Sequence, residues 1–177
     1  MTLALSTETE GLARLARRDL QRVFALVEPG ESASEALNDL LPSLVREYGE
    51  MGAAVAADWY DEQRELAEAQ GLFQAIPTPA SDRGARALIG WSLLEATSDQ
   101  ALLTLLAGGV QRRIADHVRS TVAQSSIQDP MSRGWVRVGR GECDWCRQYL
   151  DGEVHYVEGY DFPAHDHCRC SVRPEWG

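Results

Sequence analysis

The sequence contains no lysine, so arginine supplies all 17 basic residues of this 177-residue chain. Aspartate and glutamate together number 27, which leaves a formal net charge of −10 at pH 7. A protein that binds duplex DNA by neutralising phosphates needs a basic face, and the sequence shows no such face. The charge balance therefore disfavours that class of protein.

Long apolar runs are missing as well. No window approaches the roughly 20 apolar residues of a membrane-spanning helix. The first residues, MTLALSTETEG, contain no basic stretch ahead of an apolar run, as a signal peptide would. We therefore expect no membrane partner, and synthesis in a reducing cytoplasm.

Cysteine is scarce, and all four cysteines lie between positions 143 and 170, together with three of the four histidines. In a reducing compartment such clustered cysteines are more often metal ligands than partners in disulfide bonds. Disulfide bonds between them are the alternative interpretation. A Cys-x-x-Cys pair places two thiolates on one turn, and a second turn with His and Cys completes the tetrahedral set that Zn²⁺ prefers. The sequence therefore predicts a zinc site.

The preferred ligands are Cys143, Cys146, His165 and Cys168. They supply three sulfurs and one nitrogen and leave no open coordination position. This is typical of a structural zinc site and not of a catalytic one. The spacing leaves two alternatives open, namely Cys170 in place of Cys168 and His167 in place of His165. The candidate metal ligands are Cys143, Cys146, His165, Cys168 and Cys170.

Helical periodicity dominates the first 128 residues. Pro29-Gly30 and the Pro-containing stretch Gly71–Asp82 interrupt it, and Pro42 either kinks the second helix or begins a new one. Small residues such as Ala53 and Ala57 would let another helix approach closely. The predicted helices are Ser6–Glu28, Ser43–Gln70, a helix capped by Ser81 or Asp82 that ends at Leu94 or Glu95, and one capped near Ser98 that runs to about Ser125.

Three short strands are predicted after Asp129-Pro130. They are Trp135–Val138, Val154–Val157 and a last strand from Ser171 that Pro174 cuts short. The fold class is therefore α+β, with a mostly α-helical region over residues 1–128 and a small zinc-stapled unit with short strands over residues 129–177. Such a small unit usually needs a metal or a disulfide to fold.

Several charged side chains are assigned to solvated helix surfaces. Arg64 lies one turn from both Asp61 and Glu68, so it is expected to form ion pairs within its own helix. Arg119 lies off the apolar stripe of its helix and is assigned to a solvated face, as are Arg112 and Arg113.

No set of residues predicts catalysis. The H-x-E and H-E-x-x-H motifs of zinc deaminases and zinc peptidases are absent, and the only histidine outside the cluster, His117, has no evident Ser and Asp partners. The sequence therefore predicts no catalytic residues and no enzyme.

The C-terminal sequence from Gly134 to Trp176 resembles the C-terminal domain of phage Mu F-type (MuF-like) head-morphogenesis proteins, which are minor capsid proteins. The stretch Tyr48–Arg64 is similar to the helical region of such proteins. The residues that carry the C-terminal resemblance are Cys143, Cys146, Leu150, Gly152, His165, Cys168, Cys170 and Pro174.

The resemblance implies a minor capsid protein that is made in the host cytoplasm and built into the virion, near the portal or the procapsid interior. It implies portal or capsid proteins as partners, and packaged DNA as a further contact. Two alternatives are a capsid maturation protease and a nucleic-acid-binding zinc module, in which Trp135 and Trp145 would stack on bases. The arginines of that module are Arg137, Arg140, Arg147, Arg169 and Arg173.

Overall fold

The structure, a computed structural model, describes residues 2–26, 33–82, 84–139, 141, 144–150, 152–153, 162 and 164–177, without the side chains of 2–4 and 33–34. It is mostly helical with a small antiparallel sheet of two strands, which confirms the predicted fold class. The division at residue 128 stays a prediction. The elements are α1 (Thr2–Leu26), α2 (Ala33–Leu66), α3 (Ala85–Glu95), α4 (Asp99–Gln128), β1 (Ser132–Val138), α5 (Asp144–Arg147) and β2 (Ser171–Trp176).

Helices α2 and α4 form the centre of the fold. Ala53 and Ala56 on α2 are fully buried. A Cβ atom placed on Gly52 would lie 3.0 Å from a methyl group of Val118 on α4, so the two backbones approach closely there. The predicted role of the small residues is confirmed. Pro42 lies inside α2, which is one helix from Ala33 to Leu66.

Helices α3 and α4 have different N-terminal caps. Ser98 caps α4 as predicted, because its side-chain oxygen accepts a hydrogen bond from the Ala101 N–H at 3.2 Å. The predicted Ser81 or Asp82 cap of α3 is wrong. Gly84 occupies that position in the left-handed conformation, with φ of 82°, which glycine adopts without steric cost.

The residues between α2 and α3 run back along the groove between α2 and α4, without regular secondary structure. Asp61 on α2 accepts a hydrogen bond from the Ala75 N–H at 2.9 Å, and Thr121 on α4 accepts one from the Thr78 N–H at 3.1 Å. The predicted break in helical structure is confirmed, and these hydrogen bonds attach it to both helices.

Strands β1 and β2 pair in antiparallel register, with Trp135 opposite Pro174 and Val138 opposite Ser171. The prediction that Pro174 ends the last strand is wrong, since β2 continues to Trp176. Among the described residues, β2 has one edge without a partner strand, and a proline can lie there without removing a ladder hydrogen bond. The predicted strand Val154–Val157 falls outside the described residues.

A buried polar network joins α2 to the residue after α4. The Nε atom of Arg64 donates to Asp129 at 2.9 Å, and its other nitrogens donate to the carbonyl oxygens of Ala69, Gln70 and Gly71. Arg64 is 8% exposed and Asp129 is fully buried. The predicted pairing of Arg64 with acids of its own helix is therefore wrong.

Candidate metal centre

Three of the predicted ligands converge on one point beside the sheet. The Cys146 Sγ atom lies 3.1 Å from His165 Nε2 and 3.7 Å from Cys168 Sγ. All three ligand atoms lie within 4.8 Å of one another. Both cysteines are buried, and the histidine is partly exposed. This group of side chains is called the thiol–imidazole cluster below.

Two short turns bring the cluster together. Cys146 lies in α5, which follows β1, and a turn at His165–Cys168 precedes β2. The Cys168 N–H donates to the His165 carbonyl oxygen at 3.1 Å, and His167 has a φ of 63°. Because β1 pairs with β2, the two turns meet at one end of the sheet.

His165 is oriented as a metal-binding imidazole would be. Its Nδ1 atom lies 2.6 Å from the Asp166 carbonyl oxygen, which can only accept a hydrogen bond. Nδ1 therefore carries the proton, and the lone pair of Nε2 points toward the Cys146 sulfur. A backbone carbonyl on the other ring nitrogen is the usual support of a histidine ligand.

The structure places the alternative ligands, His167 and Cys170, outside the group of three converging residues. His167 is exposed, and its Nδ1 atom lies 3.2 Å from Oε1 of Gln111 on α4, so it lies outside the thiol–imidazole cluster. Cys170 is buried and its thiol donates a hydrogen bond to Cys168, but it is not a member of the converging set. Cys143 falls outside the described residues.

Two buried arginines hold the cluster. Arg119 on α4, which is 2% exposed, donates to the carbonyl oxygens of Cys170 at 2.9 Å and Cys168 at 3.0 Å. The Nη2 atom of Arg137 on β1 lies 4.0 Å from Cys146 Sγ and 3.9 Å from Cys168 Sγ. The assignment of Arg119 to a solvated face is wrong, because this helix face is covered by the His165–Cys170 turn.

The burial of Arg119 had one indication in the sequence. Ala115 and Ala123 lie one turn before and one turn after it, and both are buried. Alanines at these positions leave room for an element to cover the helix. Arg119 lies 49 positions from Cys168 and 51 positions from Cys170 in the sequence, and helical periodicity cannot predict contacts over such separations.

The thiols have opposite shifts of pKa. The hydrogen bond from the Cys170 thiol lowers the pKa of Cys168 to about 4, and the Arg119 guanidinium acts in the same direction. The same hydrogen bond and burial raise the pKa of the Cys170 thiol. The lowered pKa favours the thiolate form of Cys168, which is the form that binds metal ions.

The geometry of the cluster fits a tetrahedral metal ion with soft ligands. Two sulfurs at ~2.3 Å from a zinc ion lie about 3.8 Å apart in a tetrahedron. The Cys146–Cys168 separation of 3.7 Å matches this value. The Cys146–His165 separation of 3.1 Å is shorter than the roughly 3.5 Å that a sulfur and a nitrogen would have, so the imidazole would shift slightly. The cluster can therefore hold a metal ion.

Two aromatic residues considered for base stacking have other contacts. Trp135 is buried in the core, at 7% exposed. Trp145 is partly exposed, and its ring packs against the edge of the His165 ring with centroids 5.3 Å apart. Arg137 is also buried, at 5% exposed, so it presents no charge to an outside ligand.

Among the described residues, no helix is long and apolar enough to cross a membrane. No curated protein and no solved structure matches the chain significantly. The family model described as "VG15 protein" matches residues 2–177. This match covers the helices and the thiol–imidazole cluster alike. The chain therefore belongs to the VG15 protein family, a family of viral proteins.

Proposed function

We propose that this chain is a non-enzymatic minor capsid protein of a phage, acting in head morphogenesis, and that a zinc ion stabilises its C-terminal unit. The observation that carries the proposal is the convergence of Cys146, His165 and Cys168 on one point. The viral family and the resemblance to MuF-like minor capsid proteins support the assignment to a virus head. Zinc, the capsid role and the portal as partner are all part of the proposal.

Cys143 is the proposed fourth ligand, because it lies three residues before Cys146 in a Cys-x-x-Cys pair. With three thiolates and one imidazole bound, the ion has no open position for water or substrate. Such a site adds folding free energy and performs no reaction. In the proposed head protein, the ion would hold α5 and the His165–Cys168 turn together as a rigid surface for docking.

Metal analysis of the purified chain tests the zinc site. We expect about one zinc ion per chain in the wild type and a large loss in Cys146→Ser. His167→Ala is the matched control, since the His167 imidazole contacts Gln111 and is not one of the converging ligands. A wild-type chain without zinc, or a Cys146→Ser variant that retains it, would contradict the zinc site.

Head assembly tests the capsid role independently of the metal. The chain is co-expressed with the portal and major capsid proteins of the same virus, and procapsids are purified. We expect the chain to co-purify with the portal protein and the procapsids. Normal infectious heads assembled without this chain would contradict the role. Cleavage of the major capsid protein by the purified chain would instead support the protease alternative.

A further inference from the structure

Helix α3 buries one face inside the molecule and exposes the opposite face to solvent. The buried residues are Ala85, Leu88, Ile89 and Ser92. The exposed residues recur at the i, i+3, i+4 and i+7 spacing of a single helix face. They are Ala87, Gly90, Trp91 and Leu94, and this set is called the outer α3 face here. None of the four is charged or polar, which is unusual for an exposed helix face.

The outer α3 face carries two large apolar side chains. Trp91 is 45% exposed and Leu94 is 85% exposed, and both would be stabilised by removal from water in a packed interface. Tryptophan is among the residues that contribute most to the binding free energy of protein interfaces. A contiguous apolar face on the surface of a highly charged chain therefore indicates a site of association.

Two small residues complete the outer α3 face and leave its backbone open. Within the described part of the chain, no atom lies within 4 Å of a Cβ atom placed on Gly90. A glycine inside a helix costs about 0.5–1 kcal/mol relative to alanine, and no neighbour in the described structure requires one at this position. Together with Ala87, Gly90 would allow the backbone of an external helix to approach closely.

The charges at the two ends of α3 favour an antiparallel copy of the same helix. Arg86 lies in the first turn and Glu95 is the last residue, and both are exposed. If a second α3 runs antiparallel, the Arg86 end of each helix lies beside the Glu95 end of the other, and the two helix dipoles are also aligned favourably. A parallel copy would place like charges side by side.

The sizes of the side chains fit the same arrangement. In an antiparallel pair centred between Gly90 and Trp91, Gly90 is level with Trp91 of the second copy. Ala87 is likewise level with Leu94 of the second copy. A small residue is therefore level with a large one at both positions, so the two faces can interlock. A surface that complements itself in this way is what a twofold-symmetric dimer requires.

We propose that two copies of this chain associate through the outer α3 face, with their α3 helices antiparallel about a twofold axis. The face is small, so the dimer is weak, with a Kd on the order of 10–100 µM. A strongly charged partner is disfavoured, because none of the four residues of the face carries a charge. The proposal depends neither on the metal centre nor on the capsid role.

Sedimentation velocity of the full-length chain over a range of concentrations measures the association. The buffer contains about 0.15 M salt, which screens the repulsion from the net charge of −10. We expect Trp91→Ser/Leu94→Ser to raise the dimer Kd by at least about tenfold, because the apolar contacts are lost. Leu26→Ser/Leu72→Ser is the matched control, since both leucines are largely exposed outside α3. It should leave the Kd within about twofold.

Gly90→Leu separates close helix packing from general hydrophobic association. This variant keeps Trp91 and Leu94, adds apolar surface and raises helix propensity, so general association would become tighter and the fold would not be weakened. In the proposed dimer the new side chain holds the two helices apart, and we expect the Kd to rise by at least about tenfold. Thermal unfolding confirms that the variant is folded.

Charge reversals test the antiparallel direction. Arg86→Glu places two acidic ends together in its own dimer, and Glu95→Arg places two basic ends together. Each variant alone should dimerise more weakly than wild type, and an equimolar mixture of the two should recover association. A wild-type chain that stays monomeric up to about 500 µM, far above the expected Kd, would overturn the proposal. Wild-type or tighter association of Gly90→Leu or of Trp91→Ser/Leu94→Ser would also overturn it, as would a mixture no more associated than its components.

Discussion

Arg64 and Asp129 form a buried ion pair at 2.9 Å, although they lie 65 positions apart in the sequence. Asp129 also accepts hydrogen bonds from the Tyr60 hydroxyl and the Trp176 indole N–H, at 3.2 and 3.1 Å. The carboxylate therefore ties α2 to the last strand. Burial alone would raise the pKa of Asp129, but hydrogen bonds from the Met131 N–H, Trp176 and Arg64 outweigh burial and hold that pKa below its usual value.

Removing the charge of Asp129 should destabilise the fold in a pH-dependent way. Asp129→Asn leaves the buried Arg64 guanidinium without its counter-ion, which costs about 3–5 kcal/mol of unfolding free energy at pH 7. A carboxyl whose folded pKa is lowered stabilises the protein above its unfolded pKa of about 3.9, and loses that contribution as the pH falls through the folded value. The difference in unfolding free energy between wild type and Asp129→Asn should therefore become smaller only below about pH 4.

Urea unfolding of both proteins between pH 7 and pH 3 measures this gap. Glu62→Gln is the control, since Glu62 is exposed on α2 and its replacement should have a small effect on stability. A gap that stays constant down to pH 3 would show that the Asp129 carboxylate contributes no charge-dependent stability.

His165 and His167 should differ in their effect on metal binding. The imidazole of His165 lies in the thiol–imidazole cluster, whereas that of His167 contacts Gln111 at 3.2 Å. We expect His165→Ala to lower zinc affinity by a factor of 10 or more, because a side chain that binds the ion directly is lost. His167→Ala should leave it within about twofold. Competition with a chromophoric chelator gives both affinities, and equal losses would refute the assignment.

Arg119 should be far more important for stability than its neighbour Arg112. Arg119→Met leaves the buried carbonyl oxygens of Cys168 and Cys170 without donors, which costs about 1–3 kcal/mol for each group left unsatisfied. Arg112 is exposed, and its two ion-pair distances to Asp116 and Asp166 are 3.8 and 4.0 Å. Arg112→Met should change stability by less than about 0.5 kcal/mol. Chemical unfolding of the metal-loaded proteins measures the difference, and equal midpoints would refute it.

Replacement of two helical glycines by alanine should change the stability of the protein in opposite directions. A Cβ atom on Gly109 would meet the Leu88 side chain inside the core, where extra volume costs about 1–3 kcal/mol. No atom lies within 4 Å of a Cβ atom on Gly90, so Gly90→Ala should stabilise α3 by about 0.5–1 kcal/mol. Thermal unfolding should show a lower midpoint for the first variant and a higher one for the second. A Gly109→Ala variant as stable as wild type would show that Leu88 can move aside.

The helices were predictable from the sequence because their causes are local. Periodic apolar residues and the Ser98 cap define α4, and the proline-containing stretch separates α2 from α3. The α3 cap was mispredicted because the left-handed conformation of Gly84 satisfies the same backbone position without a side-chain oxygen. Pro174 was mispredicted because its effect depends on which edge of β2 faces β1, and that is a property of the assembled sheet.

The candidate site was predictable in its residue types but not in its geometry. Cysteine and histidine spacing indicated two turns with metal ligands, and the structure brings Cys146, His165 and Cys168 together. Spacing could not choose between His165 and His167, because the two lie only two residues apart and the turn at Asp166 and His167, where His167 has a φ of 63°, sets the direction of each side chain. The roles of Arg119 and Arg137 arise from contacts between distant elements, so no local pattern predicts them.

Phe162 lies beneath two cations, with the Arg119 guanidinium 4.7 Å and the Arg137 guanidinium 3.9 Å from its ring centre. The aromatic ring is thereby anchored to α4 and to β1 just before the chain enters the His165 turn. Phe162 therefore helps to fix the position of the turn. Relatives of this protein should consequently keep the number of residues from Phe162 to Cys168 constant.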